Sequence, residues 1–362
     1  MKLLVDGKEA FPEIIELIRK TKKSIYINMF IWRNDDIGRK MAAELIAAAD
    51  RGVVISVSKD RYGAVLEYCE ECKSSFFHRR PTGFELLSSY VLELFYGLGI
   101  ERPANISEAE DELYKAFVNH PNIQLEDTKN KYDHSKYYIF DDETVVLGGI
   151  NIEDKEIALD RLGQSYHDYM VEVTEKPLVE EFTNMILPKE HFKVNRKEPT
   201  RHFEMRDSYL KIINESEESL TILMAYISTL PDFMEALYKA AERGVKVSII
   251  IPKRANFQDN LNKKCIRELI KKSGGAIKAY LYPNMLHAKL LMSENTISVG
   301  SCNITKKAFK TLDELNLTIE NDGSDFAEAV GDSVRKSLNE SEVFTENVKY
   351  NALVAALESI IM

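Results

Sequence analysis

The sequence predicts an α/β chain built as two related halves, and three observations carry that prediction. AADRGVVISV at Ala48–Val57 recurs as AAERGVKVSI at Ala240–Ile249. In each copy an amphipathic helical pattern closes on arginine and glycine and passes into a β-branched run of strand length. A further apolar run lies upstream of each, SIYINMFIW and SLTILMAYI, which makes two β-α-β units and argues for mainly parallel central sheets flanked by helices. Finally, His-x-Lys occurs at His134/Lys136 and again at His287/Lys289.

The first half opens with MKLLVDGKEAFPEIIELI, which meets Asp6 after three apolar residues and has no small-residue cleavage site, so it reads as fold and not as a signal peptide. His134 stands 82 positions after Gly52, against 43 from Gly244 to His287. The first half therefore carries an insertion, placed at 61–129. Within it Phe84–Ile100 and Ser107–His120 read as two helices joined by ERPAN, the second with Ser107 and Glu110 as its cap. Phe84–Ile100 is the most apolar stretch of the chain. It is either an interfacial helix or lid over a lipid site, or a helix packed on the core, and Glu85 and Glu93 without a basic residue make it a poor membrane face. Cys69 and Cys72 form a single CxxC with only His78 nearby, which reads as two ordinary thiols and not a zinc site. The halves divide as 1–200 and 201–362, and the helical tail from Ser324 packs on the second.

Each His-x-Lys begins a longer pattern. Lys136 and Lys289 open strand-like runs, KYYIF and KLLM; a turn follows; and a second run returns to Gly148-Gly149 or Gly300-Ser301, with Asn151 or Asn303 just beyond. HFKVNRKE at His191–Glu198 shares the first residues but none of this sequel. In such a hairpin the return strand brings its asparagine toward the histidine and lysine, and glycine lets a ligand approach the backbone. An imidazole, an ammonium and a carboxamide on one face suit phosphate oxygens. An imidazole that attacks or donates needs an acceptor for its other nitrogen. Asp168, heading YMVEV, and Glu314, heading LNLTIE, stand in matching phase; Asp168 is expected to orient His134, and Glu314 to orient His287.

These residues resemble the phospholipase D superfamily, whose signature HxKxxxxD, then GG or GS and asparagine, is present twice. The first copy matches at His134, Lys136, Asp141, Gly148, Gly149 and Asn151. The second matches at His287, Lys289, Gly300, Ser301 and Asn303, with Glu294 in place of the aspartate, a position that in the family mainly shapes the hairpin. MFIWRNDDIGRKMAAELIAAADRGV also looks like the start of bacterial cardiolipin synthases, whereas KYDHSK and NITKKAFKT depart from their RNHRK and RSF patterns. The resemblance implies pseudo-twofold-related α/β halves and one active site at their interface. It further implies a phosphohistidine intermediate and neither metal nor cofactor. Catalysis would fall to His134, His287, Lys136 and Lys289, oriented by Asp168 and Glu314. Asn151, Asn303, Ser301 and Gly149 would bind the substrate phosphate.

Composition bounds what such an enzyme meets. A net charge of -10, from 58 acidic and 48 basic residues, disfavours a stable nucleic-acid partner and general adhesion to anionic lipid. No run approaches the roughly 18 apolar residues of a membrane span, so a cytoplasmic protein, peripheral at the membrane through 84–100, is expected. The expected activity is cleavage or transfer of phospholipid phosphodiesters; a metal-independent nuclease and a non-catalytic scaffold are the alternatives.

Overall fold

The computed structural model describes residues 1–69, 75–77, 83–96, 111–126, 132–160, 162–186 and 201–361. Its contacts form two compact units, Met1–Ser165 with Met170–Lys197, and Tyr166–Tyr169 with Glu198–Met362.

The first unit holds β1 (Lys2–Val5), α1 (Asp6–Lys20), β2 (Ser24–Met29), α2 (Asp36–Asp50), β3 (Val54–Lys59), α3 (Arg61–Cys69), α4 (Gly83–Tyr96), α5 (Glu112–Val118) and β4 (Ile123–Leu125). The hairpin β5 (Lys136–Phe140) and β6 (Thr144–Gly148) follows. Then come β7 (Tyr166–His167), which belongs to the second unit, β8 (Tyr169–Val173) and α6 (Lys176–Ile186). The second unit continues with α7 (Arg201–Glu215), β9 (Ser219–Met224), α8 (Pro231–Glu242), β10 (Lys246–Pro252), α9 (Asp259–Lys272), β11 (Lys278–Tyr282) and β12 (Met285–Leu286). Its hairpin is β13 (Lys289–Ser293) and β14 (Thr296–Gly300). After it come α10 (Lys306–Lys310), β15 (Asn316–Glu320), α11 (Asp325–Glu340), β16 (Glu342–Val343) and α12 (Ala352–Ile361).

Each unit has a seven-stranded mixed sheet, ordered β1-β8-β6-β5-β2-β3-β4 and β15-β14-β13-β9-β10-β11-β16. The predicted β-α-β units supply the parallel ladders β2-β3-β4 and β9-β10-β11. The His-x-Lys hairpins add antiparallel ladders, β5 against β2 and β13 against β9. The repeated arginine and glycine explain themselves here. Gly52 and Gly244 close α2 and α8 at φ 96° and 91°, values that cost a side chain strain but glycine nothing. Arg51 donates to the carbonyl of Ile18 at 2.9 Å, and Arg243 to that of Ile213 at 3.1 Å, so each satisfies an end of the preceding helix, α1 or α7.

Apolar side chains alternate inward from the parallel strands, Ile25, Ile27, Ile55 and Val57 against Ile14 and Leu45 in the first core. Leu220, Ile222, Val247 and Ile249 meet Leu237 and Ile266 in the second. In the insertion, α5 lies within the stretch Ser107–His120 expected to be helical. Asp111 is its N-cap, accepting from Leu113 N at 3.1 Å and Tyr114 N at 3.2 Å. Ser107, Glu110, Cys72, His78, residues 97–100 and His191–Glu198 lie outside the described residues. Helix α4 buries Ser89 and Leu92 and exposes Leu87 and Val91, so it is partly packed and partly bare. In the tail, α12 meets α9 of the same unit, where Leu261 N donates to Glu358 at 2.7 Å. Among the described residues no helix is long and apolar enough to cross a membrane.

Candidate functional site

The two motifs build two half-sites of the same plan. In the first unit, His134 precedes β5 in a loop that polar contacts hold on every side. Asn28, on β2, donates to the Ser135 carbonyl at 2.8 Å. Asp133 accepts from Ser135 N at 3.0 Å and from its hydroxyl. Asp60, at the end of β3, accepts from Asp133 N at 2.7 Å and Gly63 N at 3.0 Å. Burial pushes the Asp60 carboxyl up to about 6, against the pull of those amides and of Lys59. The His134 ring meets Phe30 edge to face at 4.6 Å. Lys136, fully buried, donates to the His134 carbonyl and lies 5.0 Å from the Phe30 centroid, a cation–π contact.

In the second unit, His287 N and Ala288 N both donate to the His167 carbonyl, at 2.8 and 3.0 Å. The His287 Nδ1 lies 2.8 Å from Asp168 Oδ2 and 3.0 Å from Lys289 Nζ. Nδ1 cannot both donate to the carboxylate and accept from the ammonium. The charge-assisted bond to Asp168 is the stronger, while Lys289 donates to the His287 carbonyl and stands 3.5 Å from Asp168. Nδ1 therefore carries a proton, donated to Asp168, and the chemistry falls to Nε2. Burial pushes the Asp168 carboxyl up, but the Lys289 and His287 charges and the Tyr169 amide outweigh it and hold it below the usual carboxylate range.

This geometry corrects the expected pairing. Asp168 serves His287, not His134, because β7 runs parallel to β12, with Met285 opposite Tyr166 and Leu286 opposite His167. Glu314 is not the acid on His287 Nδ1; its Oε2 accepts from the Ser301 hydroxyl at 2.6 Å. Ser301 is thereby corrected too. It is fully buried, its proton goes to Glu314, and its oxygen accepts from Leu315 N at 3.0 Å, so it ties β14 to the start of β15 instead of donating to a phosphate. Nor does Gly300 make room for a ligand. A side chain there would strike the Leu315 carbonyl at 2.2 Å and Asn316 Oδ1 at 2.4 Å.

Both asparagines are anchored to backbone by their side-chain oxygens. Asn151 Oδ1 accepts from Ile31 N at 3.2 Å, and Asn303 Oδ1 from Tyr226 N at 3.3 Å. With the carbonyl end anchored, the amide NH₂ is the end each can offer to an anion. Gly149 sits buried in the bend after β6, two residues before Asn151. The hairpin acids bind backbone amides at the far end of each half-site. Asp141 accepts from the backbone of Lys22, Lys23 and Ser24, and Glu294 from that of Glu217 and Ser219, so each pins its hairpin to the start of β2 or β9. Glutamate reaches the same amides by one more methylene, which is why the exchange is tolerated.

Sequence reasoning missed Asn28, Asp60, Phe30 and Tyr226, whose ring lies 6.2 Å from His287. Asn28 and Phe30 had a faint signal, a polar residue inside and an aromatic just after an otherwise aliphatic strand; Asp60 had none. Among the described residues no group of three or more His, Cys, Asp or Glu is placed to hold a metal ion.

The family described as cardiolipin synthase, PLD-like domain, matches residues 14–187 and 209–336. Cardiolipin synthase B of Escherichia coli K12 is 24% identical over 348 residues, covering 88% of this chain and 76% of that protein. A cardiolipin synthase of Clostridium perfringens is 22% identical over 353 residues, covering 88% and 67%. The crystal structure of phosphatidylserine synthase from Haemophilus influenzae superposes with a TM-score of 0.69 at 16% identity, covering 98% of this chain and 91% of that one. That likeness establishes a shared fold.

Proposed function

The chain belongs to the cardiolipin synthase, PLD-like domain family, and from that premise we propose that it is a phospholipid phosphatidyltransferase or phospholipase working through a phosphohistidine. The observation that carries the reading is the doubled set of buried His, Lys and Asn, with each lysine locked onto the carbonyl of its own histidine.

Displacement at phosphorus needs an attacking nitrogen and an acid for the departing oxygen, and one imidazole cannot serve as both in one step. We assign attack to Nε2 of His134 and protonation of the leaving alkoxide to Nε2 of His287. In the second step His287 takes a proton from water or an acceptor alcohol, whose oxygen displaces the phosphoryl group from His134. Asp168 supports this division, because a buried carboxylate 2.8 Å from Nδ1 stabilises the imidazolium that a general acid must be. Lys136, Lys289 and the amides of Asn151 and Asn303 offset charge building on the phosphate oxygens. Glu314, kept buried beside Ser301, is a positioning residue. The protein works in the cytoplasm and meets lipid peripherally, with Leu87 and Val91 of α4 as one contact.

The test is incubation with phosphatidylglycerol vesicles and, separately, with plasmid DNA, both in EDTA. Glycerol release or cardiolipin formation is expected, and acid-quenched reactions with labelled lipid trap label on the peptide carrying His134. Plasmid nicking without lipid turnover would overturn the substrate class, and label on His287 would reverse the two histidines.

A further inference from the structure

Helix α12, with the sequence ALVAALESII, is built inside out. A surface helix ordinarily turns its apolar stripe to the core and its charges to water. Here Ala355 and Glu358 are the buried residues, at 0% and 1% exposure, while Leu353, Leu357 and Ile360 stand out at 72%, 41% and 81%. With 3.6 residues per turn, Leu353, Ala356, Leu357 and Ile360 share one face, and that face carries no charge. The helix's single charged group is used inward, where Glu358 accepts from Leu261 N at 2.7 Å in the first turn of α9.

That turn of α9 also borders the His287 half-site. Asn262 donates to the Ala225 carbonyl at 2.7 Å and accepts from Ile227 N at 2.9 Å. It thus clamps both neighbours of Tyr226, the residue that anchors Asn303 and sets its ring by His287. Helix α9, against which α12 packs, is rich in cations. On a chain of net charge -10, α9 carries Lys263, Lys264, Arg267, Lys271 and Lys272 against Asp259 and Glu268; Lys263 pairs with Asp259 and Arg267 donates to the Glu346 and Val348 carbonyls, which leaves Lys264, Lys271 and Lys272 for a partner. Just before α12, Lys349 is exposed and Tyr350 lies against Arg267 at 4.8 Å.

We propose that α12 is a docking helix that lays Leu353, Ala356, Leu357 and Ile360 into the surface of an anionic phospholipid bilayer, with Lys264, Lys271 and Lys272 of α9 and Lys349 at the headgroups. An apolar helix face flanked by cations is what an anionic bilayer surface binds. A second copy of this chain fits less well, since pairing through α12 would bring two cationic α9 helices together. The proposal rests on the phospholipid reading, and it places lipid at the edge of the half-site that protonates the leaving group.

The test is sedimentation with vesicles of phosphatidylcholine alone and of phosphatidylcholine with phosphatidylglycerol, for the full chain and for Leu353→Ser/Ile360→Ser. Hydrolysis of a soluble diester, bis(p-nitrophenyl) phosphate, is followed alongside. The unaltered protein should partition onto the anionic vesicles, and less so at high salt. The double variant should partition about tenfold less or weaker still, with soluble hydrolysis unchanged. Equal partitioning of both proteins, or indifference to phosphatidylglycerol, overturns the proposal. So does a variant that changes from dimer to monomer with vesicle binding intact, because the face is then a self-association surface. If the vesicle difference appears but neither protein cleaves any diester, docking stands and the enzymatic reading falls instead.

Discussion

Replacing Asp168 by asparagine keeps the shape of a fully buried side chain and removes the charge that two buried cations share. The carboxylate accepts from His287 Nδ1 at 2.8 Å and from Tyr169 N at 2.8 Å, and it faces Lys289 Nζ at 3.5 Å. A hydrogen bond to a charged group contributes about 1.5–3 kcal/mol, a factor of roughly 10 to 100 in rate. Loss of the orienting acid of a catalytic imidazole reaches on the order of 10⁴. A fall of about 10²–10³ is expected on a phospholipid, whose alkoxide needs a proton to leave. On a diester with a nitrophenolate leaving group it should shrink below about tenfold. Stability falls as well, by at most about 3–5 kcal/mol for a broken buried pair. The folded Asp168 pKa is depressed, so its contribution is complete above the unfolded value of about 3.9 and disappears as pH falls through the folded value. In urea titrations the gap between the two proteins should hold from neutrality to about pH 5 and close below about pH 4. A rate loss equal for every leaving group would refute the role of Asp168 in positioning an acid, and a fully active variant would remove the pairing from the mechanism.

Lys136→Met and Lys289→Met should each lower turnover by about 2–4 kcal/mol in the barrier, as for a lost charge-stabilising donor; a double variant with normal kcat shows the lysines to be bystanders. Ser301→Ala should leave turnover per folded molecule and the KM for lipid nearly unchanged, while the lost partner of buried Glu314 costs about 1–3 kcal/mol of stability. A large rise in KM with stability intact restores Ser301 to the phosphate. Asp60, with a folded pKa of about 6 against about 3.9 unfolded, binds its proton more tightly in the fold. Its contribution favours folding at low pH and is lost as pH rises from about 4 through 6, by on the order of 1–3 kcal/mol. Asp60→Asn should flatten that slope in pH-dependent denaturation, and an unaltered slope assigns it to other groups.

Everything written in short range was legible in the chain. The doubled β-α-β units, the arginine and glycine that close α2 and α8, and the two hairpins follow from periodicity and turn chemistry within a few residues, while the role of the acids that pin the hairpins came from the family resemblance alone. Membership of a family defined by His-x-Lys is likewise legible at short range. What tertiary structure alone decided is partnership. Asp168 and Glu314 stand at the same phase of equivalent strands, and nothing in either stretch says which histidine each will meet. Asp168 reaches His287 across 119 positions because β7 settles beside β12, and Ser301 takes up Glu314 because β14 and β15 are neighbours. Hydrophobic alternation specifies which face of a strand is buried. It is silent on which strand lies alongside, since that depends on the packing of the whole sheet.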